Sequence, residues 1–468
     1  MAIKQQIEFN SANKYFAGFL QNIINQSGIN GSVSQDENIT LVLDDSDAKK
    51  LEEFSALVTS SLPHSMFLGE VTTTQDDSSI IKSEFKSPSY NIALCPICLE
   101  KLTNPSSDDY LNDALVCTHY SNEEKRYEDY TTFSPHYSEG CSVLLTNSAK
   151  IDELFIMTEE EQKALFSIEK PTIKVTIKDE TLKSLTNKQF INIKSPYNTR
   201  SSLVALNAKE SEVDYLFFTN DEDLKITVVQ KNINIIKDNK VSKKLVNLNP
   251  DKAINRFLNI ANEAGFKKGA IGASMSLQDG ISFVVSNEVD VKKVINFQEF
   301  NLSESLEEMK NDATREKLLE NLFEKYPNIK EELESNSHYD IYQTICSILE
   351  LEFKSFESLS DKSLEFRGNG GLKIDMHFID VGFDYVSLIG SVISFKLAGV
   401  DTHYLAYSIF EAFGDMIIST LNQLKEKFKI QNFVMMGDMF ENSVMHSRIL
   451  SKFQLSDPYF SKSIALDD

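Results

Sequence analysis

Tryptophan is absent from the 468 residues of this chain, and cysteine, histidine and proline are scarce, at five, seven and ten. Five cysteines, an odd and sparse number, exclude a disulfide scaffold. Basic residues are in deficit: 47 Lys and Arg face 70 Asp and Glu, a net charge of -23. That balance argues against a nucleic-acid surface, which needs clustered cations, and against docking on anionic lipid. No stretch approaches the roughly 20 apolar residues of a spanning helix, so no membrane insertion is expected. The opening MAIKQQIEFN lacks the apolar core of a signal peptide, and the expected compartment is the cytoplasm. What remains is an ordinary globular composition, 41% hydrophobic and 25% charged, long enough for about three domains.

The N-terminal eighty residues alternate strand and helix signals. IEFN reads as a strand. Phe16, Phe19, Leu20, Ile23 and Ile24 form one helical face that Gly28 ends. NITLVLDD alternates, Leu51, Phe54, Leu57 and Val58 mark a second helix closed by Pro63, and FLGEVTT reads as another strand. The order predicts a small ferredoxin-like sandwich. The segment YFAGFLQNIINQSGINGSVSQ resembles acylphosphatase domains, which carry a catalytic arginine at the start of the first helix and an asparagine after a following turn. Ala17 and Gln35 stand at those places. An acyl phosphate needs a guanidinium for its charged oxygens, so the resemblance implies a retained fold without the chemistry.

The run CPICLEKLTNPSSDDYLNDALVCTH opens with the Cys95–Cys98 pair and closes with Cys117 and His119. Thiolates in this spacing, completed by another Cys or His, suit tetrahedral zinc. The run resembles the first zinc finger of the HypF family, the carbamoyltransferases of [NiFe]-hydrogenase maturation. Those proteins carry an acylphosphatase domain, two fingers, a YrdC-like domain and a C-terminal domain like the TsaD carbamoyl-threonine synthases. The family's fourth cysteine falls at Tyr120, a poor ligand. His119 is the first substitute, Cys141 the rival as a relic of the missing second finger, and His136 a third possibility.

The middle of the chain opens with a capping signal at Thr158 and a strand after Pro171. INIKSPYNTRSSLVAL and YLFFTNDEDLKITVVQKNINIIKD read as β-formers. EKPTIKV and SPYNTRSSLV resemble stretches of the YrdC-like domain, but the segment has about half the necessary length. Its resemblance implies a reduced domain unable to make carbamoyl-adenylate.

In the C-terminal half, KGAIGASMSLQDGISFVVSNEVDVKKVINF reads as three strands joined by turns. Helices are expected over 304–326 and 339–350, the latter burying Cys346 as an apolar residue and not a ligand. A long helix covers 402–428, with Leu405, Ile409, Phe413, Ile417, Leu421 and Leu424 inward. QNFVMMGDMFENSVMHSRIL then gives strand, turn and helix. This turn resembles the terminal signature of the HypF and TsaD families, whose glycines admit a nucleotide phosphate. Gly437 and Asn442 match as cofactor-binding positions, whereas Asp438 brings a negative charge. The families' metal-binding H-x-x-x-H pair would lie in INRFLNIANEAGF and is absent. Their DGTGYG aspartate registers at Gly272, and the chain ends without their DGG. His338, His377, His403 and His446 read as isolated packed or surface residues.

The expectation is an α+β multidomain protein. An acylphosphatase-type sandwich spans 1–80, a finger segment 88–150, a reduced YrdC-like β-rich segment 151–247, and an actin-like TsaD/HypF-type domain 248–468. The resemblance implies a hydrogenase-maturation accessory protein with structural zinc, no catalytic residues and little affinity for ATP. Its partner would be a [NiFe]-hydrogenase subunit or another maturation factor. The competing reading is an active ATP-dependent carbamoyltransferase.

Overall fold

The computed structural model describes residues 2–467 apart from 12, 45–47, 77–84, 122, 124, 220–223, 380–381 and 454–457, with no statement on the side chains of 2, 76 and 379. The chain divides into two compact units, residues 1–244 with the tail 462–466, and residues 245–461 with Asp467.

The first unit opens with β1 (Ala2–Phe9), α1 (Tyr15–Ser27), β2 (Gly31–Gln35), β3 (Asn38–Leu43), α2 (Ala48–Ser61) and β4 (Leu68–Asp76). The antiparallel sheet runs β2-β3-β1-β4, the expected ferredoxin-like arrangement. Helix α1 forms because Phe16, Phe19, Leu20, Ile23 and Ile24 bury one face. Gly28 stops it at φ 65°, a left-handed conformation that glycine adopts without strain.

Next come α3 (Pro96–Thr103), β5 (Phe133–Ser134), β6 (Ser142–Leu145), α4 (Ile151–Leu154), β7 (Phe155–Ile156), α5 (Glu159–Phe166), β8 (Thr172–Ile177), α6 (Glu180–Thr186), β9 (Phe190–Lys194), α7 (Thr199–Glu210), β10 (Tyr215–Phe218), β11 (Lys225–Val229) and β12 (Asn232–Lys237). The sheet order is β12-β11-β8-β9-β6-β10-β5, with β7 beside β8. Strands β5 and β6, from residues 88–150, pair with strands that follow them. One expectation is corrected here: SSLVAL, read as β-forming, lies in α7. Asn198 accepts from Ser201 N, and the Ser201 hydroxyl receives the Asn198 N–H, a reciprocal cap that starts a helix where β-formers suggested a strand.

The second unit contains α8 (Lys252–Glu263), β13 (Ala270–Ser276), β14 (Gly280–Ser286), β15 (Val291–Asn296), α9 (Leu302–Lys310), α10 (Ala313–Lys325), α11 (Pro327–Ser335), α12 (Ile341–Ile348), α13 (Phe356–Leu364), β16 (Phe378–Ile379), β17 (Gly382–Phe383), α14 (Tyr385–Leu397), α15 (Thr402–Phe428), β18 (Phe433–Met436), α16 (Ser443–Lys452) and β19 (Tyr459–Phe460). Its main sheet runs β15-β14-β13-β18-β19, antiparallel through β13 and parallel beyond it. The helix expected over 304–326 is two helices. Asp312 accepts from Thr314 N and Arg315 N, and that cap begins α10 afresh. Helix α15 buries all six expected apolar residues. Cys346 is buried in α12, and burial pushes its thiol up to about 12.

Candidate metal centre

Cys95 is the N-cap of α3, with Pro96 at the first helical position, where a missing N–H costs nothing. Its sulfur accepts from Cys98 N at 3.4 Å, so one helical turn brings both sulfurs to the same side. The return loop adds Cys117 and His119. The His119 Nδ1 lies 3.1 Å from Cys95 Sγ, 3.3 Å from Cys98 Sγ and 3.9 Å from Cys117 Sγ. All four ligand atoms fall within 4.8 Å of one another. With Zn–S of about 2.3 Å and Zn–N of about 2.0 Å, a tetrahedral ion separates nitrogen from sulfur by about 3.5 Å, a value the three distances bracket. Three thiolates and an imidazole can therefore hold a metal such as zinc.

Without a cation the sulfurs compete for one negative charge. Hydrogen bonding to Cys117 pushes the Cys98 thiol up and raises Cys95 to about 12, while bonds from Cys95 and Cys98 pull Cys117 down. A divalent ion removes that conflict. His119 is the fourth member of the cluster. Cys141, its rival in the sequence, lies outside the cluster, with Ser138 Oγ at 2.9 Å and Thr219 Oγ1 at 3.4 Å. His136 is exposed and also outside it. Tyr120, at the family's fourth-ligand position, is instead core: its ring packs on Phe19 and Tyr15. A Cβ on Gly18 would sit 2.2 Å from the Tyr120 carbonyl oxygen, so α1 and the finger touch through bare backbone.

Side chains of the loop between β1 and α1 are bonded to a distant part of the chain. Ser11 Oγ donates to Val241 O at 2.7 Å, and Asn13 Nδ2 donates to Lys240 O at 3.2 Å and Val241 O at 3.1 Å. Gln35 Nε2 donates to Asn13 O at 3.2 Å. Ala17 is fully buried. The Asp238 carboxylate holds the covering turn by accepting from Lys240 N and Val241 N, each at 2.8 Å, and from Ser242 N. Beside this loop, the buried Glu169 accepts from Tyr15 Oη at 2.6 Å, Ser65 Oγ at 2.5 Å and Met66 N at 3.0 Å.

In the second unit, Gly437 has φ 109°, and a Cβ there would lie 2.1 Å from Met275 O. The close approach of β18 to β13 thus requires glycine whatever else binds. Asn442 is fully buried; its Oδ1 accepts from Val444 N and Met445 N, and its Nδ2 donates to Ser360 Oγ and Ser363 Oγ. Every hydrogen-bonding position of that amide is engaged in capping α16 and joining it to α13. Asp438 accepts from Leu277 N at 2.8 Å, and burial, with Asp467 nearby, pushes its carboxyl up to about 6.

Sequence reasoning missed Arg256. It lies on α8, where a histidine pair was sought, and is 1% exposed. Its guanidinium meets Asp467 at 2.8 Å and Asp279 at 3.8 Å. A lone arginine on an otherwise amphipathic helix gave no periodic signal. His446 is core: it stacks on Phe460 at 4.1 Å, and burial pushes it down to about 4. His377 meets Asp384 at 3.3 Å.

No family profile matches the chain. Solved structures match over its whole length. T. kodakarensis HypF gives a TM-score of 0.64 at 12% identity, covering 100% of this chain and 97% of that one. A full-length HypF in the phosphate- and nucleotide-bound form gives 0.59 at 11% identity, covering 100% and 96%. The chain has the fold of full-length HypF. Among curated proteins, one named HydE from Wolinella succinogenes is 23% identical over 344 residues, 64% of this chain. The chain spans 62% of that relative's length. The HypF-like fold is the α+β architecture expected from the sequence. Among the described residues, no helix is long and apolar enough to cross a membrane.

Proposed function

We propose that this chain is an accessory protein of [NiFe]-hydrogenase maturation that binds a hydrogenase subunit or another maturation factor. It keeps the HypF scaffold without carbamoyl transfer. The observation that carries this reading is the bonding of the β1–α1 loop of the N-terminal sandwich. Ser11 and Asn13 donate to the carbonyls of Lys240 and Val241, so these side-chain donors already have partners. Ala17 supplies no cation there. Arg256 agrees with it, since a buried guanidinium sits among the carboxylates of the second unit where a metal ion would be repelled.

In this reading zinc is structural, held by Cys95, Cys98, Cys117 and His119, and clamps the finger to α1. The working compartment is the cytoplasm. The N-terminal sandwich, the finger, the central segment and the C-terminal unit correspond in this reading to the family's successive domains.

The test has two arms. Deleting the gene should abolish or lower active [NiFe]-hydrogenase, and a wild-type copy should restore it. The purified, metal-loaded protein, given carbamoyl phosphate and ATP, should release neither phosphate nor AMP above background. Normal hydrogenase after deletion removes the maturation role. AMP release dependent on carbamoyl phosphate establishes the transferase reading instead.

A further inference from the structure

Two open cavities of 630 Å³ and 450 Å³ adjoin in the first unit, away from the β1–α1 loop. They share Asn91, Asn198 and the wall Tyr127–Tyr130. Each has the volume of a ligand site, roughly 300–1,000 Å³. Side by side and open, they form a trough suited to a linear ligand more than an enclosed pocket. Cys117 lines the larger cavity, so the metal centre fixes one of its walls.

The trough carries a small excess of cations. In a chain of net charge -23, Lys125, Arg126, Arg200 and Lys240 line it. Three carboxylates, Asp113, Glu128 and Asp129, line it as well, and their oxygens have partners. Asp129 accepts from Asn198 Nδ2 at 2.6 Å and Thr131 N at 2.8 Å, Glu128 accepts from Tyr130 Oη, and Asp113 faces Arg126 at 3.9 Å. Arg200 donates from Nη1 to the Asp129 carbonyl, which aims the guanidinium. Its other N–H groups have no partner among the described residues. Lys125 stands over the Tyr127 ring at 5.0 Å. Tyr130 is 80% exposed at the rim, a large aromatic without a packing partner at its outer face. Leu94, Leu115 and Leu203 supply apolar wall. A fork-shaped cation, an ammonium and an exposed aromatic along an apolar trough match an extended peptide carrying carboxylates and a large apolar side chain.

We propose that this trough is the docking site for an extended acidic segment of the partner protein, with Arg200 and Lys125 gripping carboxylates and Tyr130 closing over an apolar side chain. The proposal rests on the partner-binding reading above and gives that function a surface. Electrostatic steering by a local cationic patch also favours acidic segments over the many basic ones that a protein of net charge -23 would otherwise attract.

The test uses the full-length, metal-loaded protein and a fluorescein-labelled peptide, Glu-Phe-Asp-Leu-Glu-Tyr, read by anisotropy. Binding is expected on the order of 10–100 µM. The same peptide with Lys for each acid should bind at least about tenfold more weakly. Lys125→Glu with Arg200→Glu should cost about tenfold or more, and Tyr130→Ala several-fold, with metal content and circular dichroism unchanged. If either variant loses metal or fold, Arg200→Gln and Lys125→Gln, which only remove charge, take its place and should still weaken binding several-fold. Equal binding of the acidic and basic peptides, or no loss in the charge variants, overturns the proposal. Displacement by millimolar phosphate or ATP also overturns it, in favour of a small-anion site. A failed peptide test leaves the hydrogenase phenotype of the deletion intact, so the two readings fail separately.

Discussion

Asp438→Asn should stabilise the protein at neutral pH. Asp438 follows Gly437 in the turn after β18, where burial and then Asp467 push its carboxyl from 3.8 up to about 6. The folded state therefore binds a proton more tightly than the unfolded chain does. Between about pH 4 and pH 6 the native state holds more protons, so stability falls as pH rises. The contribution is fully present below the unfolded value and lost above the folded one. The interval corresponds to about 3 kcal/mol as an upper figure, because water reaches part of the carboxyl and softens it. Asparagine removes the charge and keeps an oxygen that can accept from Leu277 N. Urea titrations of both proteins at pH 4.5 and pH 7.5 test this. The variant should gain about 1–3 kcal/mol at pH 7.5 and little at pH 4.5. Equal or lower stability at pH 7.5, or a gain of the same size at both pH values, would refute the argument that Asp438 carries an unfavourable buried charge.

Purified protein should contain about one zinc per chain. Cys98→Ser should lose it and lower the melting temperature, since structural zinc contributes on the order of 10 kcal/mol; a metal-free protein with an unchanged transition would exclude the site. Glu169→Ala leaves Tyr15, Ser65 and Met66 without their acceptor, and denaturant unfolding should show a loss of roughly 3–6 kcal/mol. Gly437→Ala forces a Cβ against Met275 O at a positive φ and should cost about 3 kcal/mol or more, or yield insoluble protein. Neither wild type nor Gln35→Asn should hydrolyse benzoyl phosphate above background; turnover by either would mean that the Lys240–Val241 turn leaves the loop.

Local signals in the sequence were enough for several parts of the fold. The helical face from Phe16 to Ile24, the stop at Gly28 and the alternation around Ile39 and Leu41 specify the N-terminal sandwich, because each rests on periodicity or backbone freedom within a few residues. Cys95 and Cys98 were equally legible, since one helical turn determines their separation. Where caps override periodicity, the reading slipped: Asp312 divides a helix, and Asn198 with Ser201 starts one.

Other features depended on residues far apart in the chain. The sequence offered His119 first, Cys141 as its rival and His136 third, and only the path of the return loop separated them. The bonding of the β1–α1 loop joins Ser11 and Asn13 to Lys240 and Val241, more than 220 positions away, through main-chain carbonyls that carry no residue code. Arg256 and Asp467 likewise meet only in the folded chain. Asn442 shows the same limit at a matched motif position. The sequence determined that an amide stands after the turn, and tertiary packing on Ser360 and Ser363 decided that it would be core, because a buried amide must satisfy all its hydrogen bonds from whatever surrounds it.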